Sequence, residues 1–215
     1  RVPGEARAPS AEGQQLSLFS AQAEDVTESE PASLGKYTLV ADEAALTALG
    51  TRLRAATSIA VDTETTSTDP MQADLVGISI TDRAEIAWYI PVLATDGEPV
   101  LPLEIVQQQL GPVLSNPDST KVGHNLKYDI KMLLRHGFEV SGPLFDTMIA
   151  EWLLDPASRN LGLKNQAWTH LGVQMTEITE LIGRGRGQKT MDQVPLVQVM
   201  PYACLLYTSD AADEE

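Results

Sequence analysis

The sequence predicts an α/β domain: a mixed sheet flanked by helices. Two observations carry that prediction. Short apolar runs of strand length come first, and strand–helix alternations follow them. Hydrophobic residues make up 43% and charged residues 21% of the 215-residue chain, a globular composition. That length suits one domain of ordinary size with a small extra. No internal repeat is present.

The ordered text begins at Lys36. Tyr37-Thr38-Leu39-Val40 reads as a short strand. Asp42 is placed to cap a helix running to about Ala56, whose apolar stripe is Ala45, Leu46, Leu49 and Leu53. Ser58 to Thr63 reads as a buried strand. Asp74 to Ile80 and Glu85 to Ile90 read as two more, joined by the polar turn Thr81-Asp82-Arg83. Pro102 to Leu114 fits a helix, with Pro102 near its start, where a missing N–H is harmless. Ser119 to Gly123 is a strand, and a helix follows from about Asn125 to His136. Further helices are expected over Phe145 to Leu154 and Leu163 to Leu171. Residues 182–189 read as a flexible basic loop, and a last helix begins over Pro195 to Cys204.

Residues 1–35 read as a disordered acidic linker, with six acids against two bases. Such a segment buries too little apolar surface to offset its ordering entropy. Gln15-Leu16-Ser17-Leu18-Phe19 interrupts it, read either as a weak docking patch or as a peptide that inserts into a partner's pocket. The start at Arg1 reads as part of something longer.

Composition excludes several functions. Thirty acids against 15 bases give a net charge of −15, which argues against a non-specific nucleic-acid coat or a polybasic membrane binder. One cysteine, Cys204, excludes an intrachain disulfide framework and a multi-Cys zinc site. No 18-residue apolar run predicts a transmembrane helix, and the first residues hold no signal-peptide core. A soluble cytoplasmic protein is the expectation.

The chemistry concentrates at a few acids. Asp62 and Glu64 end the most apolar strand, and residues two apart share a face. Both carboxylates therefore point the same way at the strand's C-terminal end, where open α/β sheets place their sites. Two like charges there repel unless a cation neutralises them, and oxygen donors suit Mg²⁺ or Mn²⁺. Asp-x-Glu alone reads equally as a pair of surface acids. Asn125 and Asp129 are four apart on the expected helix and so on one face. Asn125 reads as a helix cap or as a substrate contact.

Val61-Asp62-Thr63-Glu64-Thr65, Val122-Gly123-His124-Asn125-Leu126-Lys127-Tyr128-Asp129, Phe145-Asp146-Thr147 and Pro201-Tyr202-Ala203-Cys204 occur in that order. Together they resemble the 3′–5′ proofreading exonuclease domain of bacterial DNA polymerase I, of the ribonuclease H-like exonuclease superfamily. The resemblance covers residues 36–204. It implies a ribonuclease H-like sheet and hydrolysis of the terminal phosphodiester at a single-stranded or frayed DNA 3′ end, releasing deoxynucleoside monophosphates. It implies two divalent cations, Mg²⁺ or Mn²⁺, held by Asp62, Glu64 and Asp129, with Asp62 bridging both. Tyr202 would orient the attacking water. Thr63 would offer its backbone near the terminal nucleotide, and His124 and Asn125 would contact the strand. His124 replaces a more usual Gln. Asp146 has a family counterpart and reads as structural, bonding backbone groups at the start of its helix. The family's polymerase and 5′-nuclease domains lie outside these residues, and Gln15 to Phe19 resembles a sliding-clamp-binding peptide.

One motif departs from the family. Its tyrosine is followed four residues later by Asp, and here that position is Leu206. Asp210 lies two turns on from Tyr202, about 6 Å too far along the axis at 1.5 Å per residue. From about Leu205 the text stops tracking the family, and residues 205–215 resemble translated adapter or junction sequence. The final helix is therefore expected to be truncated, metal binding weak and hydrolysis sharply reduced. Arg184, Arg186 and Lys189 are the local positive charges available to meet DNA, or else a solvated turn. A non-catalytic binding module and an RNA-processing exonuclease are the alternatives.

Overall fold

The structure, a computed structural model, describes residues 36–210, with side chains described through Leu205. The linker over 1–35, the Gln15 to Phe19 peptide and the side chains of the 205–215 tail beyond Leu205 lie outside the described residues.

A six-stranded mixed sheet forms the centre. Its strands are β1 (Lys36–Leu39), β2 (Ser58–Thr65), β3 (Leu75–Thr81), β4 (Ile86–Pro91), β5 (Thr120–Gly123) and β6 (Leu144–Asp146), in the spatial order β1-β4-β3-β2-β5-β6. β2, β3 and β4 form the antiparallel centre. β1 joins β4 in parallel, and β5 and β6 continue parallel from β2. The acid-bearing strand is thus interior, with a partner on each side.

Each face of the sheet is covered by helices. On one, α1 (Glu43–Leu53), α2 (Leu103–Leu114) and α3 (Lys127–Arg135) bring Leu46, Leu110 and Met132 onto Ile59, Val61 and Ile78. Asp42 caps α1 as expected, accepting from the Ala45 N–H at 2.8 Å. The other face is covered by α7 (Leu196–Asp210), which packs Val199, Ala203 and Cys204 against Ala87 and Tyr89. Its first N–H donates to the Glu98 carboxylate at 3.0 Å, fixing where the helix enters. Among the described residues no helix is long and apolar enough to cross a membrane.

Four local expectations differ. Phe145 does not start a helix: Leu144–Asp146 is the edge strand β6, and α4 spans Thr147–Leu154. Asp146 caps α4 by accepting from the Met148 N–H at 3.0 Å, so strand and helix meet at one residue. Leu163 to Leu171 splits into the short α5 (Leu163–Gln166) and a π-helical turn, Ala167–Leu171. The segment before the basic loop holds a further helix, α6 (Ile178–Ile182). Asn125 is not on α3: its φ of 60° is left-handed, and α3 starts two residues later.

Candidate active site

The site gathers at the C-terminal end of β2. A cavity of about 780 Å³ opens there, lined among others by Asp62, Glu64, His124, Asn125, Asp129 and Tyr202. Thr63 and Lys189 line it too. The structure therefore brings together every site residue that the sequence singled out in Asp62, Thr63, Glu64, His124, Asn125, Asp129 and Tyr202. Three different elements and a turn supply them: β2, α3, α7 and the β5–α3 connection.

Alternation along β2 puts Asp62 and Glu64 on one face. Glu64 is only 6% exposed, and its Oε1 is buried without a hydrogen-bond partner. Burial, with the Asp129 charge adding to it, pushes the Glu64 carboxyl up to about 8. Asp129, in the first turn of α3, is 3% exposed. It accepts at Oδ1 from the Thr63 N–H at 2.9 Å and the Thr63 hydroxyl at 2.6 Å. Burial lifts its carboxyl to about 6, against the pull of hydrogen bonds from Thr63 and Asp62. Thr63 thus spends both its N–H and its hydroxyl on holding α3's acid against β2. Asp62, Glu64 and Asp129 line one cavity, two of them buried.

The β5–α3 turn presents two groups. Gly123 is needed where it stands, because a Cβ there would fall 2.6 Å from Leu126 Cδ2. His124 Nδ1 pairs with the Thr147 hydroxyl at 2.9 Å, and Nε2 is left buried without a partner. Burial lowers the His124 pKa against the opposing pull of Asp146, which favours the neutral ring. The turn itself is held by Asp146, whose carboxylate accepts from the Asn125 N–H at 3.0 Å and the Leu126 N–H at 2.9 Å. The structural reading of Asp146 is borne out and enlarged: one carboxylate caps α4 and pins the turn that carries His124 and Asn125.

Tyr202 enters from α7. Burial, followed by the Glu64 and Asp62 charges, pushes its phenol well up, so the hydroxyl stays protonated. Lys164 Nζ stands over its ring at 5.7 Å. Leu206 follows one turn later in α7. Of the loop's cations Arg184, Arg186 and Lys189, only Lys189 lines the cavity; Arg184 Nη2 instead donates to the Thr179 hydroxyl at 3.2 Å. Among the described residues no group of three or more His, Cys, Asp or Glu side chains is arranged to hold a metal ion.

Sequence reasoning missed several lining residues. Met148 on α4 and Ile178 and Ile182 on α6 form an apolar wall. Only Ile178 among them is exposed, and exposure is not displayed by sequence. Tyr128 was quoted only as motif text. Its hydroxyl shares a hydrogen bond of 2.7 Å with the Thr65 hydroxyl and donates to the Ser67 carbonyl, fixing the loop after β2.

Comparison with known proteins agrees with this geometry. A family model described as 3′–5′ exonuclease (DNA_pol_A_exo1) matches residues 37–205. The DNA polymerase I of Chloroflexus aurantiacus is 41% identical over 199 residues, covering 90% of this chain and 20% of that protein. The DNA polymerase I of Pseudomonas aeruginosa is 34% identical over 171 residues, covering 78% of this chain and 19% of that protein. The chain thus spans about a fifth of these curated relatives. Escherichia coli RNase D, an exoribonuclease involved in structured RNA processing, superposes with a TM-score of 0.61 at 22% identity. It covers 81% of this chain and 42% of its own, a likeness of fold. With the acids of β2 and α3, the turn of His124 and Asn125, and Tyr202 gathered at one cavity, the chain belongs to the 3′–5′ exonuclease family found in DNA polymerase I.

Proposed function

We propose that this chain is the proofreading exonuclease segment of a longer DNA polymerase I, built to remove mononucleotides from a single-stranded or frayed DNA 3′ end. One observation carries the reading: Asp62, Glu64, Asp129 and Tyr202, from three elements, line one cavity, and Glu64 keeps a buried oxygen without a partner. The sequence identity to polymerase I relatives supports DNA as the substrate. In such a protein the segment would stand between the 5′-nuclease and polymerase domains. Gln15 to Phe19 would serve as a clamp-binding peptide, and residues 205–215 would be junction sequence.

The donor set fits a hard divalent cation. Asp62, Glu64 and Asp129 offer oxygen only, and burial raises the Glu64 and Asp129 carboxyls, a cost of ionisation that a bound cation would offset. These residues would hold Mg²⁺ or Mn²⁺. When bound, a pair of such ions supplies a nucleophilic water at neutral pH and neutralises charge at the phosphate. The chain's residues do the rest. Tyr202, protonated and held between Lys164 and the acids, would orient the water. The unpartnered Nε2 of His124 and the side chain of Asn125 would contact the terminal nucleotides. Lys189 would meet backbone phosphate. Met148 and Ile178 would pack against bases. Leu206, where the family carries its fourth acid, would leave the set one acid short.

The test is Mn²⁺-dependent release of mononucleotide from 3′-labelled single-stranded DNA, with a matched RNA alongside, by this chain and by its L206D variant. The proposal expects L206D to cut DNA from the 3′ end and the parent to cut far more slowly. Preference for RNA overturns the DNA reading. No cutting by either folded protein makes the domain a binding module.

A further inference from the structure

The cavity has two unlike walls. Met148, Ile178 and Ile182 make the apolar one. Thr66, Ser67 and Thr68, on the connection between β2 and β3, make a polar one. The Thr66 hydroxyl oxygen accepts from the Asp74 N–H at 2.9 Å, and Ser67 Oγ accepts from the Asp69 N–H at 3.2 Å. A hydroxyl that accepts keeps its own hydrogen to donate. The polar wall is therefore a short row of uncharged O–H donors, suited to the phosphate and sugar oxygens of a nucleic-acid strand.

Such a row recognises a strand only if its backbone is fixed, and residues 66–74 contain neither strand nor helix. The loop is fixed by α3. Tyr128, Arg135 and His136 are seven and eight residues apart, two turns, and so share one face. The Tyr128 hydroxyl donates to the Ser67 carbonyl at the start of the loop. His136 gives its Nδ1–H to the Met132 carbonyl at 2.8 Å, which leaves Nε2 to accept from the Leu75 N–H at 3.3 Å, just past its end. Arg135 takes the middle. Its Nη1 donates to the Pro70 carbonyl at 2.5 Å and to the Ala73 carbonyl at 2.8 Å. Ala73 is fully buried beneath that contact. Among the described residues no acid forms an ion pair with Arg135. Its guanidinium is spent on backbone. The first turn of the same helix carries Asp129, tied to Thr63 of β2. One rigid element thus places both an acid of the site and the polar wall beside it.

We propose that Arg135 is a positioning residue for the bound strand: by clasping the β2–β3 loop at Pro70 and Ala73, it holds Thr66, Ser67 and Thr68 where their hydroxyls donate to the sugar–phosphate backbone. The proposal rests on the nucleic-acid reading of the cavity.

Two measurements on the full chain, with R135Q and R135K, test it. Gln is too short to span both carbonyls, whereas Lys keeps three donors on a long stem. The first measurement is hydrogen exchange at the amides of residues 66–74. R135Q is expected to exchange there at least about tenfold faster, with β2 unchanged and R135K close to the parent. The second is fluorescence anisotropy of a labelled single-stranded DNA whose 3′-terminal linkage is a phosphorothioate, in Mn²⁺ over a series of salt concentrations. R135Q is expected to bind about fivefold more weakly with an unchanged salt slope, and R135K to recover most of that loss. A residue that met phosphate itself would also flatten the slope by about 0.7. Unchanged exchange in R135Q overturns the clasp. Faster exchange with equal affinity, in a parent that binds the strand, leaves Arg135 a stabiliser of the loop alone and overturns the proposal. A flattened slope overturns it too, because Arg135 would then touch the strand directly. A parent that binds no single strand overturns the nucleic-acid reading itself, and the proposal with it.

Discussion

Two carboxylates a few residues from the same cavity are treated in opposite ways. Asp146, at the β6–α4 corner, accepts from the backbone N–H groups of Asn125, Leu126 and Met148. Glu64, at the end of β2, is buried with one oxygen unpartnered and its carboxyl pushed up to about 8. The first is a satisfied charge that holds backbone in place. The second is a cost the fold carries, because an unmatched buried acid destabilises the chain that holds it. The difference separates structure from function more sharply than burial does. Both acids belong to family motifs, and only their partners tell them apart.

The largest expected effect sharpens the functional half of that contrast. L206D should raise Mn²⁺-dependent hydrolysis by about 100-fold or more, because removing a single electrostatic contributor typically costs that much. Initial rates on 3′-labelled DNA measure it, and equal rates would show that three acids suffice. The next effect sharpens the structural half. D146A should destabilise the domain by about 2–4 kcal/mol, since it strips a helix cap and the turn's charged hydrogen bonds together. Urea unfolding reads it; a loss below a few tenths would mean the turn holds itself.

Much of this was legible in the sequence. Alternation along β2 placed Asp62 and Glu64 on one face, and the apolar run before them announced an interior strand. Asp42 declared α1 as an N-cap. The misreadings have physical causes. Leu144–Asp146 is too short to show a period of two, so its apolar residues merged with the helix that follows. The Asp146-Thr147 junction held the clue, since Asp is a preferred N-cap and the helix starts just after it. Asn125 looked like a cap by type, but its φ of 60° puts it in a turn that Asp146 stabilises from 21 residues away. Partners that distant in sequence leave no local pattern. Thr63 holding Asp129, 66 residues on, is of the same kind.

A smaller effect concerns pH. Folding raises Glu64 from 4.5 to about 8 and Asp129 from 3.8 to about 6. The folded chain therefore binds more protons than the unfolded one between these values. Metal-free stability should be fully present below about pH 4, fall as pH rises through 6, and fall further through 8. Urea midpoints in EDTA across that range check it. A midpoint that rises from pH 5 to pH 8 would mean the acids are already compensated.

The most direct test of the contrast is the unfolding free energy of E64Q beside the parent, in EDTA at pH 8. Gln keeps the shape and removes the charge. The account predicts that E64Q is more stable by about 1–2 kcal/mol, the sign expected when a buried, unpaired acid is neutralised. E64Q equal to or less stable than the parent would contradict it, because Glu64 would then already have its partner and would stand with Asp146 as part of the scaffold.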